Sequence, residues 1–112
     1  MICPWEIWTY DFEQEQTHPV VIFGNIARVA HPEIDRVNVL LCTTLRGSSQ
    51  RKPKPHEVFL DFADGLDWAT SCRCDAMYYV AKTKLREKRG LVGIERRRAI
   101  SQTLLRFFPF TF

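Results

Sequence analysis

Nowhere does the sequence hold the ~18 consecutive apolar residues that a membrane-spanning helix requires, so a transmembrane protein is not expected. Its opening residues, Met1-Ile2-Cys3-Pro4-Trp5-Glu6, lack the basic segment and following apolar run of a secretory signal, which makes a cytoplasmic location the expectation. Internal repeats and low-complexity tracts are missing, and 112 residues suffice for one domain spanning 1–112. Cysteine is sparse. The four present (Cys3, Cys42, Cys72 and Cys74) show neither the Cys-x-x-Cys spacing nor the paired histidines of zinc sites, so no metal is expected. Cys72 and Cys74, alternate residues of an extended chain, are poorly placed to bridge each other. Reduced thiols, some buried as small hydrophobes, are the expectation.

What is present is a core-forming composition, 46% hydrophobic and 26% charged. Residues 5–12, rich in aromatics, read as a first strand. After a polar connection, His18-Pro19 leads into Val20-Val21-Ile22-Phe23, a strand buried on both faces and stopped by Gly24-Asn25. Residues 26–36 read as irregular, since Pro32 discourages a long helix. A third strand over 37–43 runs into a basic, Pro- and Ser-containing loop reaching His56. Further strands follow at 57–60, 69–75 and 76–80, with a turn at 63–67. Short strands so spaced suggest a small antiparallel barrel. Between Gly93 and Pro109, Ile100, Leu104, Leu105 and Phe108 recur at helical spacing and predict a C-terminal helix with arginines on its other face. The expectation is a mainly β fold with one C-terminal α-helix.

The net charge is +3, with cations concentrated in 46–54 and 82–98 and acids in 6–15 and 61–67, a distribution that suits a polyanion on one face as well as a mixed solvated surface. The informative stretch is Thr70-Ser71-Cys72-Arg73-Cys74-Asp75. On a strand, Thr70, Cys72 and Cys74 face inward while Ser71, Arg73 and Asp75 share the outer face, setting a guanidinium beside a carboxylate. Thr43 and Thr44, ending the third strand, offer hydroxyls to a phosphate. His18 places a titratable group at a strand start.

These features occur in a telling order: Glu-Ile-Trp in the first strand, Pro-Val-Val-Ile in the second, Thr ending the third, Arg73-Cys74-Asp75, Val80-Ala81-Lys82-Thr83-Lys84-Leu85, then Gly93 and the helix. In this the chain resembles the PemK/MazF family of bacterial toxins, Kid-like members in particular, from about Glu6 to Phe108. The resemblance implies an SH3-like barrel of the CcdB/PemK/MazF type, a homodimer, endoribonuclease activity without cofactor, and neutralisation by a cognate antitoxin protein. It implies catalytic roles for Arg73, Asp75 and Thr43. At position 18 most members carry a catalytic Arg, and the connection before it is shorter here, without the Gly-containing stretch and catalytic His of Kid. His18 is the candidate to take over one of those roles.

Metal-independent RNA cleavage needs a base for the ribose 2′-hydroxyl, cations near the phosphorane and an acid for the leaving oxygen. Asp75 is the candidate base. Arg73, too strongly basic to give up a proton, is assigned electrostatic stabilisation. His18 is the candidate acid, as the side-chain type that titrates nearest neutrality. Thr43 would position a phosphate oxygen, and Thr44, Arg46, Arg51, Lys52, Lys54 and Ser71 are assigned to RNA contact. A CcdB-like toxin that binds a protein, and an inactive member that binds only antitoxin, remain open alternatives.

Overall fold

A computed structural model describes residues 1–13, 16–45 and 51–108. Six strands follow in chain order: β1 (Glu6–Phe12), β2 (Gln16–Phe23), β3 (Arg36–Thr44), β4 (Glu57–Leu60), β5 (Thr70–Ala81) and β6 (Leu85–Leu91). A short helix α1 (Ile26–Val29) lies between β2 and β3, and α2 (Ile94–Phe107) closes the chain. All described pairings are antiparallel, in the order β4-β5-β3-β2-β1-β6. No described helix is long and apolar enough to cross a membrane.

The mainly β architecture with a C-terminal helix is the one expected, but among the described residues hydrogen bonding does not close the sheet into the expected barrel. Its two edges, β4 and β6, are joined instead by the turn after β4. There a 3₁₀ turn (Phe62–Asp64) ends at Gly65, whose φ of 85° suits glycine. Backbone meets backbone at this joint: a Cβ on Gly65 would lie 3.1 Å from the Cα of Gly90 in β6, and one on Gly90 would overlap the Asp64 carbonyl.

Two apolar clusters occupy the two faces of the sheet. On one, Ile7, Val21, Leu40, Cys42, Val58 and Cys72 pack under Ile100 and Leu104 of α2. On the other, Tyr10, Val20, Ile22, Val37 and Val39 pack with Val29 of α1. The second strand is thus buried on both faces, as its continuous apolar run predicts. Leu105, placed on the buried face by spacing, is instead 67% exposed. Phe107 is also exposed, while Phe108 packs against the core. Two expected strands, 69–75 and 76–80, are one twelve-residue strand. The polar stretch Leu85–Leu91 forms an edge strand that its few apolar residues do not announce.

Candidate functional site

Cys42 pairs with Cys72 and Leu40 with Met77, so Leu41 alone opposes residues 73–76 of β5. This bulge bends the strand and re-aims its side chains, a device common beside active sites. Arg73 and Asp75 both stand on it. Arg73 Nη2 donates to Asp75 Oδ2 at 3.2 Å, and the two side chains are 41% and 36% exposed. Such a pair contributes only ~0–1 kcal/mol, so it is cheaply opened by a ligand. Among the described residues Arg73 Nε is buried without a hydrogen-bond partner, leaving a guanidinium donor uncommitted.

Further along the strand the picture changes. Ser71 pairs with Thr43 on β3 and Phe59 on β4, on the same face as Arg73, yet it is fully buried. Its hydroxyl donates to Glu57 Oε2 at 2.5 Å. Glu57 accepts two bonds from Arg51, each 2.8 Å, and one from the Lys54 amide. The Arg51 guanidinium also lies 5.0 Å over the Phe59 ring. Ser71 is therefore no exposed RNA contact, because β4 and Arg51 cover it, and Arg51 is a strut of this face whose fork already holds a carboxylate. Lys52 and Lys54 are exposed, and Arg46 lies outside the described residues.

The Arg51 guanidinium holds the Glu57 carboxyl far below the usual carboxylate range, against an opposing effect of burial and with help from Ser71 and the Lys54 amide. A carboxylate with a depressed folded-state pKa contributes stability above its unfolded value, about 4.3, and loses it as pH falls towards the folded value. Glu57→Gln is accordingly expected to be less stable than the parent at pH 7, and the two urea midpoints should converge as pH drops below about 4. A constant gap from pH 7 to pH 3 would show that the ionised group contributes nothing.

His18 pairs with Tyr10, and its ring lies 5.7 Å from that of Phe12, which itself contacts Tyr78 at 6.0 Å. Continuing the β2–β3 register beyond Val20 and Leu41 puts His18 on the same face as Thr43 and hence Arg73. Two strand spacings separate His18 from β5, on the order of 10 Å. Thr43, Arg73, Asp75 and His18 thus share one polar end of one sheet face. Thr44 does not; it pairs with Thr70 and faces the opposite side. There a polar cavity of about 230 Å³ is lined by Thr9, Thr17, Thr44, Thr70, Asp67, Trp68 and Arg89, and by His18 as well. Trp68 and Arg89 escaped the sequence reading. An aromatic inside a polar turn was the available signal for Trp68, while Arg89 was hidden in the unassigned strand.

Behind the bulge, Cys42, Cys72 and Cys74 are buried and unbridged. The Cys42 thiol and burial push the Cys72 thiol well up, and Cys72 together with burial does the same to Cys74. Thiols held protonated make poor nucleophiles, so these act as small core residues.

The sequence matches, over residues 4–108, the family described as PemK-like, MazF-like toxin of type II toxin-antitoxin system. No curated protein sequence matches. Among solved structures, the fold is similar to that of an endoribonuclease in complex with its cognate antitoxin from a Mycobacterial species, at TM-score 0.80 and 20% identity, covering 100% of this chain and 99% of that one. The Mycobacterium tuberculosis toxin MazF-mt6 gives TM-score 0.75 and 20% identity, with 96% and 99% covered. A MazE-MazF structure from Deinococcus radiodurans gives 0.74 and 14%, with 98% and 97% covered. At these identities the likeness is one of fold.

Proposed function

Since the chain belongs to the PemK-like, MazF-like toxins of type II toxin-antitoxin systems, we propose that it is a metal-independent endoribonuclease that cleaves single-stranded RNA in the cytoplasm and so inhibits translation and growth. The observation that carries this reading is the Arg73–Asp75 pair on the β5 bulge, with an unpartnered Nε and a face shared with Thr43 and His18.

In the reaction, Asp75 takes the ribose 2′-hydroxyl proton and the 2′-oxygen attacks the adjacent phosphorus. Arg73 and the Thr43 hydroxyl hold the non-bridging oxygens as negative charge builds on the phosphorane. The bond from phosphorus to the 5′-oxygen breaks, and His18 gives that oxygen its proton. The products are a 2′,3′-cyclic phosphate and a free 5′-hydroxyl. Lys52 and Lys54 remain as backbone contacts. A cognate antitoxin is the expected partner, as for the mycobacterial endoribonuclease of similar fold. A second copy of the chain is also expected, covering apolar residues such as Leu105 and Phe107 that one copy leaves exposed.

Incubating the purified protein with a long single-stranded RNA in EDTA tests the reading. Discrete fragments ending in cyclic phosphate are expected. Intact RNA would favour a protein-binding toxin or an inactive member of the family. The same assay identifies the acid. If His18 donates as imidazolium, cleavage falls on the alkaline side, and His18→Arg, charged throughout, flattens that limb. Profiles of equal height and shape for the parent and His18→Ala would return His18 to a structural role.

A further inference from the structure

On the face away from Arg73 and Asp75, the chain builds a second polar site from the ends of its strands. Thr9 of β1, Thr17 of β2, Thr44 of β3, Thr70 of β5 and Arg89 of β6 converge on the cavity of about 230 Å³, and Asp67 and Trp68 line it from the β4–β5 connection. We propose that this cavity is a base-reading subsite that takes one unpaired RNA base stacked on Trp68; the proposal rests on the RNA-cleaving reading of the neighbouring face.

Trp68 is 68% exposed, and with Phe62, 84% exposed on the same connection, it is among the most exposed aromatics of the described chain. Exposure here does not come with a loose tether. Buried Asp64 binds the Gly93 amide at 2.8 Å and also the Arg96 guanidinium, while Gly65 sits against Gly90. A large π-surface held in water by a pinned turn is a preformed stacking platform, and stacking accepts any base.

The lining supplies the selectivity. Thr70 already gives its hydroxyl to the Trp68 carbonyl. The hydroxyls of Thr17 and Thr44 can each donate or accept towards a base edge. Arg89 is only loosely held, at 3.4 Å from Thr9 Oγ1 and 3.8 Å from Asp67. Arg51 and Arg96, by contrast, have their forks closed on carboxylates at 2.5–3.0 Å. Asp67 nearly cancels the charge of Arg89, so a phosphate gains little here and would meet a carboxylate. A neutral base, with donors and acceptors side by side on its edge, matches an adjacent cation and anion. His18, which shares the face of Thr43, also lines this cavity, so a base seated here belongs to a nucleotide near the reacting phosphate.

The experiment uses Asp75→Asn protein, to prevent cleavage, with eight-nucleotide homopolymers of U, C, A and G. Intrinsic tryptophan fluorescence reports binding. Quenching is expected, with affinities differing at least about tenfold among the four bases. Trp68→Ala should remove the quench and weaken binding about tenfold, and Arg89→Met should flatten the ranking. On the parent background, Arg89→Met should erase one position of the cleavage consensus read from fragment ends. No quench, a quench that survives Trp68→Ala, or a ranking and consensus unchanged in Arg89→Met would each overturn the subsite. So would loss of the dimer in Trp68→Ala by light scattering, since Trp68 would then serve a protein interface. RNA left uncut by the parent while the quench and ranking persist would fail the nuclease reading and leave the subsite standing.

Discussion

Arg73→Ala and Asp75→Asn are each expected to slow RNA cleavage at least about a hundredfold, because in the proposed mechanism each removes a group that acts on the transition state rather than on binding. Stability should barely move. The pair is exposed and its ion pair contributes only ~0–1 kcal/mol, so melting temperatures should stay within a few degrees of the parent. Arg73→Lys separates charge from geometry: it keeps the cation but loses the planar fork, and its rate should fall between those of parent and alanine variant. Rates are compared on one RNA under saturating conditions, alongside thermal melts. Parent-like cleavage by a folded Asp75→Asn protein would remove the carboxylate from the mechanism. The reverse pattern, with melting collapsed, would mean that the bulge depends on the pair for its shape.

The largest effect on stability is expected at Asp64, far from that chemistry. Its carboxylate is 2% exposed and accepts from the Asp61 amide at 3.0 Å, the Gly93 amide at 2.8 Å and Arg96 at 2.5 Å. Two elements meet on one side chain: the turn after β4 and the N-terminal end of α2, whose Arg96 also closes on Asp61. Gly93 has no capping side chain of its own, so Asp64 does for α2 what a local cap does elsewhere. Asp64→Ala would leave the Asp61 and Gly93 amides without this acceptor and Arg96 with Asp61 alone, costing about 2–4 kcal/mol. For a domain of this size that lowers the melting temperature by about 10–20 °C. Asp64→Asn, which keeps one oxygen, should lose less. A melting temperature within about 3 °C of the parent in Asp64→Ala would show that water replaces the carboxylate at little cost. Because the same carboxylate pins the turn that carries Trp68, Asp64→Ala at permissive temperature should also blunt the base preference.

Local pattern was enough for much of this molecule. The apolar, β-branched run at 20–23, stopped by Gly24-Asn25, marked a strand buried on both sides. The recurrence of Ile100, Leu104, Leu105 and Phe108 between Gly93 and Pro109 marked a helix lying on a core, although Leu105 faces outward. Alternation along 70–75 put Arg73 and Asp75 on one face and the cysteines on the other, since a strand's period of two depends on nothing distant. Tertiary structure decided the rest. Leu85–Leu91 has too few apolar residues to announce a strand; it is one because β1 supplies the ladder. Ser71 has the same parity as Arg73, yet the β4 register brings Glu57 and Arg51 over it and closes it off, while Arg73, on the bulge opposite Leu41, stays partly exposed. The polar cavity joins Arg89 to Thr9, eighty positions apart. Propensity and period are set by near neighbours, whereas register, bulges and the joining of two sheet edges depend on which distant backbones meet. That choice is made by the whole core at once.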